Sequence, residues 1–204
     1  MNRSVRIVHQ GQIALSSSHE ALETTLGSCV AVVLIDSKKK IVGLNHIFLA
    51  ERSLGLTEDP FQYAEPAIIE LIKRMKAQGS QRENIKAYIF GGAKAFGSNL
   101  MNVGERSVQK AEEVLKTFQI PVIKKDVGGP QGRQIRVHVP EGDIFVRNLN
   151  AVTPKKDEKK KILIVEDSPT MQKILKLQFS QNSQVHSVEV AATVAEAKKK
   201  LKER

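Results

Sequence analysis

One cysteine and one histidine in this chain sit where they could do acyl-transfer chemistry. Cys29 is the only cysteine, and it lies in Leu26-Gly27-Ser28-Cys29-Val30, at the seam between a glycine-containing loop and an apolar run. A structural thiol usually lies inside such a run, whereas a loop edge can expose it. His46 follows seventeen positions later, near the end of Ile41 to Leu49. A free thiol has a pKa of about 8.5, and an adjacent imidazolium lowers it. The thiolate is the nucleophile, and the same imidazole can protonate a leaving amine. The pair therefore suggests a cysteine-dependent hydrolase. Its third member, a group that orients the base, is expected at Thr24 or Thr25.

What must position the pair is a β-hairpin. Val30 to Ile35 is β-branched and nearly continuous, which reads as a buried strand. Asp36 to Lys40 is a polar turn, and Ile41 to Leu49 is the return strand, weakened locally by Gly43. With a two-residue turn at Ser37-Lys38, Cys29 faces His46 directly. With a four-residue turn, Ser37 to Lys40, His46 faces Ala31 and lies diagonal to Cys29 on the same face, roughly 7–8 Å away in such pairs. A three-residue turn sends the two to opposite faces.

Around the hairpin the pattern mixes strands and helices. Val5 to His9, Ile85 to Phe90 and Ile120 to Lys125 read as strands, and Ile135 to Val139 with Ile144 to Val146 as a hairpin. Ala64, Ala67, Ile68, Leu71, Ile72 and Met75 fall on one helical face that starts near Glu65 and stops at Gly79. Val108, Ala111, Leu115 and Phe118 mark a second helix. Strands joined by short polar turns favour an α+β domain over a doubly wound parallel sheet. The expected architecture is a layered α/β/α sandwich of mixed, largely antiparallel sheets.

Composition breaks at Ala151 to Lys161, a charged stretch with Pro154 that reads as a linker. Beyond it, Ile162 to Val165, a helix opened by Ser168-Pro169, Gln184 to Val190 and a Thr193-capped helix give β-α-β-α. The expected division is a domain over 1–150, a linker over 151–161 and a second segment over 162–204. The net charge is +10, of which each side of residue 150 carries +5. The Lys runs at 155–161 and 198–204 lack interleaved aromatics, so they read as solvated linker and helix face rather than a nucleic-acid platform. Apolar runs are too short to span a bilayer, and the N-terminus has no secretory h-region. The lone cysteine fits a reducing compartment, so a cytoplasmic protein is expected. His9, His19, His138 and His186 have no partner at metal-ligand spacing, and neither Gly91-Gly92 nor Gly128-Gly129 continues as a phosphate loop. No metal site and no cofactor are expected.

The segment Thr24-Thr25-Leu26-Gly27-Ser28-Cys29-Val30-Ala31-Val32, followed by Gly43-Leu44-Asn45-His46, resembles the chemoreceptor glutamine deamidases of the CheD family. Tyr63-Ala64, Phe90-Gly91-Gly92-Ala93, Gly104-Glu105-Arg106, Val127-Gly128-Gly129 and Gly132-Arg133 continue the likeness across 1–150. The resemblance implies a protein-glutamine deamidase that converts receptor glutamines to glutamate, with ammonia released through a thioester. It implies Cys29 as nucleophile, His46 as base and Thr24, with Thr25 in reserve, as the orienting threonine. It also implies the chemoreceptor cytoplasmic helical bundle as partner, and a chemotaxis phosphatase as a second one. Ser107 departs from the Asn usual after Gly-Glu-Arg. The alternatives are a non-catalytic adaptor that binds receptors or the phosphatase, and a receptor methylesterase using the same pair. Ile162 to Met171, with the acidic pair Glu166 and Asp167, looks like the start of a response-regulator receiver domain. In receivers that acidic pair holds Mg²⁺; Glu166 and Asp167 alone are not expected to. The expectation is a truncated βαβα receiver fragment without the phosphoacceptor aspartate.

Overall fold

The computed structural model describes residues 3–51, 58–94, 103–149, 160–180 and 185–202. The chain divides into two compact units, Met1–Ala151 and Val152–Arg204. The first unit runs β1 (Ser4–Ile7), β2 (Ile13–Ser16), β3 (Glu20–Leu26), β4 (Val30–Asp36), β5 (Ile41–Asn45), α1 (Ala64–Ala77), β6 (Ile85–Gly91), α2 (Val103–Thr117), β7 (Val122–Val127), β8 (Arg133–His138) and β9 (Ile144–Asn148). These strands form two sheets, one ordered β1-β3-β8-β9 and the other β2-β5-β4-β6-β7. Pairing is antiparallel except for β1 with β3 and β6 with β7.

The central strand explains the layers. Every residue of β4 is buried, as befits a strand covered on both faces. Its Val30, Val32 and Leu34 join Ala64, Ile68, Leu71 and Met75 of α1 and Ala111 and Leu115 of α2. Its Ala31, Val33 and Ile35 join Leu22 and Leu26 of β3 and Ile135 and Val137 of β8. The order is therefore helices, five-stranded sheet, four-stranded sheet. The expected α+β class holds, but the α/β/α sequence of layers does not. An apolar helical stripe says that a helix packs on a sheet, not on which side, and α1 and α2 share one side. The opposite side is taken by the second sheet, whose outward face carries Glu23, Gln134, Arg136 and Phe145. Glu23 there accepts from Gln134 Nε2 at 2.8 Å and from Arg136 Nε at 2.6 Å.

Gly43 permits the close approach of α1, because a Cβ there would lie 2.5 Å from Leu71 Cδ1. The expected helix faces appear as read, with Pro66 inside the first turn of α1 and Gly79 just beyond its end at φ +87°. Strands β2 and β3 occupy stretches where the sequence reading places none.

The second unit comprises β10 (Lys160–Val165), α3 (Pro169–Ser180), β11 (Val185–Ala191) and α4 (Val194–Lys202), with β10 and β11 parallel. Thr193 caps α4, its hydroxyl oxygen accepting from the Glu196 N–H at 3.1 Å. The carboxylate of Glu166 accepts from the Ser168 N–H at 3.0 Å. Of the expected linker, residues 151–159 lie outside the described residues, and Lys160 and Lys161 belong to β10.

Candidate active site

The β4–β5 turn has four residues. Asp36 pairs with Ile41, and the Asp36 carboxylate accepts from the N–H groups of Lys38 (3.0 Å) and Lys39 (3.1 Å), while Lys40 takes φ 57° to close it. Val33 pairs with Leu44 and Val30 with Ile47, so His46 lies opposite Ala31 and diagonal to Cys29 on the same face. That is the four-residue alternative; the directly opposed and opposite-face arrangements are both excluded.

The face they share looks toward β3. There Leu22, Thr24 and Leu26 point inward, while Thr25 is exposed. Thr24 Oγ1 lies 2.8 Å from His46 Nδ1 and 2.7 Å from the carbonyl oxygen of Val8. A hydroxyl has one proton, and the Val8 carbonyl can only accept, so the Thr24 proton goes there. Nδ1–H must then donate to Thr24 Oγ1, which leaves the lone pair of the neutral ring on Nε2. Nε2 is buried and has no partner among the described residues. The ring is thus held at one nitrogen and basic at the other. Thr25, the reserve candidate, faces away and pairs with Gln134 of β8 instead.

Burial governs the electrostatics. His46 is only 7% exposed. Its pKa falls below the ordinary imidazole value, chiefly because burial penalises the cation, with nearby His9 adding to the effect and the Val8 carbonyl opposing it. Half-buried Cys29 moves the other way: burial pushes its thiol up to about 11, offset in part by its own N–H. Both shifts favour the neutral forms, thiol and imidazole, and so oppose the thiolate and imidazolium expected of the pair.

The glycine motifs form the cradle of Cys29. Gly91, at φ +103°, passes so close that a Cβ would overlap the Cys29 carbonyl oxygen. The Gly92 N–H donates to that same oxygen at 2.7 Å, and the Ala93 N–H donates to Gly27 O at 2.9 Å. Gly104 of α2 packs on Gly92, where a Cβ would come within 2.6 Å of its Cα. Buried Arg133 fastens the loops from below, donating to the carbonyls of Gly91 (3.2 Å), Asp126 and Gly128 and pairing with the Asp126 carboxylate at 3.1 Å. Sequence reasoning placed Gly91, Gly92, Gly104 and Arg133 in the motifs of the family resemblance but gave none of them a part in holding Cys29. It also missed the Val8 carbonyl, since no side-chain signal marks a backbone acceptor. Ser107 is fully buried on α2 and its hydroxyl has no partner among the described residues. No group of three or more His, Cys, Asp or Glu side chains suited to a metal ion occurs among the described residues.

Residues 49–148 match the family model described as CheD chemotactic sensory transduction, a stretch that begins three residues after His46. Several relatives extend the likeness. The "Probable chemoreceptor glutamine deamidase CheD" of Methanococcus maripaludis is 36% identical over 142 residues, covering 69% of this chain and 92% of that protein. "Probable chemoreceptor glutamine deamidase CheD 1" of Anaeromyxobacter dehalogenans is 37% identical over 147 residues, 70% of this chain and 83% of its own. The Oceanobacillus iheyensis protein of the same description is 39% identical over 131 residues, 61% and 79% respectively. A solved hypothetical protein of Bacillus licheniformis, YfiH, aligns over 56% of this chain and 49% of its own at 16% identity and a TM-score of 0.36, a level that carries no argument.

Proposed function

The chain belongs to the CheD family, and from that premise we propose that it is a chemoreceptor glutamine deamidase with Cys29 as nucleophile, His46 as base and Thr24 as the residue that orients the base. The observation that carries the reading is the chain from the Val8 carbonyl through Thr24 to His46 Nδ1, which leaves a bare Nε2 on the face of the hairpin that holds Cys29.

The chemistry follows from the neutral pair. As Cys29 sulfur attacks the side-chain amide carbon of a receptor glutamine, its proton passes to His46 Nε2. The imidazolium that forms is held through Nδ1–H by Thr24. It returns the proton to the amide nitrogen, the C–N bond breaks, and ammonia leaves a thioester on Cys29. His46 then takes a proton from water as the water oxygen attacks the thioester carbon. The C–S bond breaks, the sulfur recovers the proton, and glutamate is released. No cofactor enters this sequence. The product adds a negative charge to the receptor's cytoplasmic helical bundle, the partner this reading names; it also makes the protein cytoplasmic and allows a chemotaxis phosphatase as a second partner. In the same reading, residues 1–150 are the deamidase domain and 162–204 a partial receiver-like segment, supported by the β-α-β-α order and the parallel β10–β11 pair.

The test is ammonia release from glutamine-containing receptor fragments. Wild type is expected to release it and Cys29→Ala to release none above background. Equal release by both would remove Cys29 from the mechanism.

A further inference from the structure

We propose that Asn45 is a positioning residue for His46, a wedge that opens the β4–β5 ladder at the base; the proposal rests on the deamidase reading for its activity readout. The two strands keep one register on both sides of this point. Val33↔Leu44 to Asp36↔Ile41 form one run of pairs, and Val30↔Ile47 resumes it nearer the site. Val30 and Ile47 exchange both backbone bonds, N–H to O at 3.0 and 2.7 Å. In an antiparallel ladder such exchanging pairs recur at every second residue, so Val32 and Asn45 are the next pair due. Instead, the Val32 N–H donates to the side-chain Oδ1 of Asn45 at 2.9 Å. The carboxamide has taken the place of its own backbone carbonyl. Because the register is unchanged, this is an opening of the ladder and not an inserted residue.

The other edge of β5 stays closed through the opening. Ile13 pairs with Asn45, the His46 N–H donates to Gln12 O at 3.1 Å, and the His46 carbonyl accepts from the Gly11 N–H at 2.9 Å. His46 is a non-exchanging position of the β4 pairing, so its N–H and carbonyl point to the β2 side, and the altered rung is the adjoining Val32–Asn45 pair. Directly beside this altered rung the His46 imidazole meets Thr24 of the other sheet.

The identity of the residue argues against a role in stability. Asn45 is 0% exposed, and its Nδ2 has no partner among the described residues. Alanine would remove that orphan donor and let the Val32 N–H return to a backbone carbonyl. A buried, unsatisfied donor kept beside the base is a local violation of the kind that marks functional positions.

Asn45→Ala separates the two roles. The proposal expects thermal stability equal to or above wild type, kcat on a glutamine-containing receptor fragment reduced tenfold or more, and KM within twofold. It also expects the imidazole ¹⁵N resonances of His46 to show a fixed Nδ1–H tautomer in wild type and to lose it in the variant. The NMR readout needs no substrate, so it still decides the proposal if the wild type proves not to deamidate receptors. Unchanged kcat with an unchanged His46 tautomer overturns it. So does a parallel fall of kcat and thermal stability, which would make Asn45 a structural residue.

Discussion

Alkylation of Cys29 as a function of pH reads the resting state of the site. Cys29 is the only thiol in the chain, so iodoacetamide reports one group. Burial raises its pKa to about 11. At pH 7 the thiolate fraction is then about 10⁻⁴, against about 3 × 10⁻² for a free thiol of pKa about 8.5, a deficit of roughly 300-fold. The more basic thiolate is intrinsically more nucleophilic, with a Brønsted slope of about 0.4–0.5, which recovers about tenfold. The net expectation is alkylation about 30-fold slower than a free thiol at pH 7, rising tenfold per pH unit and levelling near pH 11. Deamidation should behave differently. Its active form is neutral thiol with neutral imidazole, so kcat/KM should rise as His46 loses its proton, below the ordinary imidazole pKa, and stay flat until Cys29 ionises. Rates of stopped-time alkylation, read by mass spectrometry, and initial deamidation rates over the same pH range test both halves. An alkylation rate that levels off below pH 8 would instead mean a preformed thiolate–imidazolium pair and a thiol that burial does not raise.

Thr24→Val keeps the side chain's shape but leaves His46 Nδ1–H and the Val8 carbonyl unpaired, so kcat should fall at least tenfold and stability by about 1–3 kcal/mol; Thr25→Val, on an exposed side chain, should leave steady-state kinetics within twofold. Gly91→Ala forces a Cβ onto the Cys29 carbonyl at φ +103° and should lower the melting temperature, with a cost of about 1–3 kcal/mol or more measured by urea titration. Ser107→Ala removes a buried hydroxyl that has no partner among the described residues, and calorimetry should show stability unchanged or raised by about 1 kcal/mol.

The hairpin was legible because period-2 alternation fixes which residues share a face once the parity of the turn is set. Only the parity of the turn mattered, and the Asp36 carboxylate, which gathers two turn N–H groups, selects four residues. The helix faces were legible for the same reason, since α1 and α2 bury the stripes that their spacing marks. Strand β3 was not legible. Glu20 and Glu23 interrupt its hydrophobicity, and the pairing of Glu23 with Gln134 and Arg136 is visible only once β8 lies beside it. With β3 unseen, Thr24 and Thr25 were equivalent on spacing; the strand's alternation turns one inward and the other out. The resting protonation state was likewise out of reach, because residue types specify a thiol and an imidazole but not how deeply each is buried.

Conversion of receptor glutamine to glutamate through Cys29 has a direct mass signature. It is read by mass spectrometry of chemoreceptor cytoplasmic fragments incubated with wild type or Cys29→Ala. Gains of about one dalton are expected at discrete glutamines with wild type and none with the variant, following the amide-to-acid exchange that the thioester route requires. Glutamines left intact by wild type, or converted equally by Cys29→Ala, would contradict it.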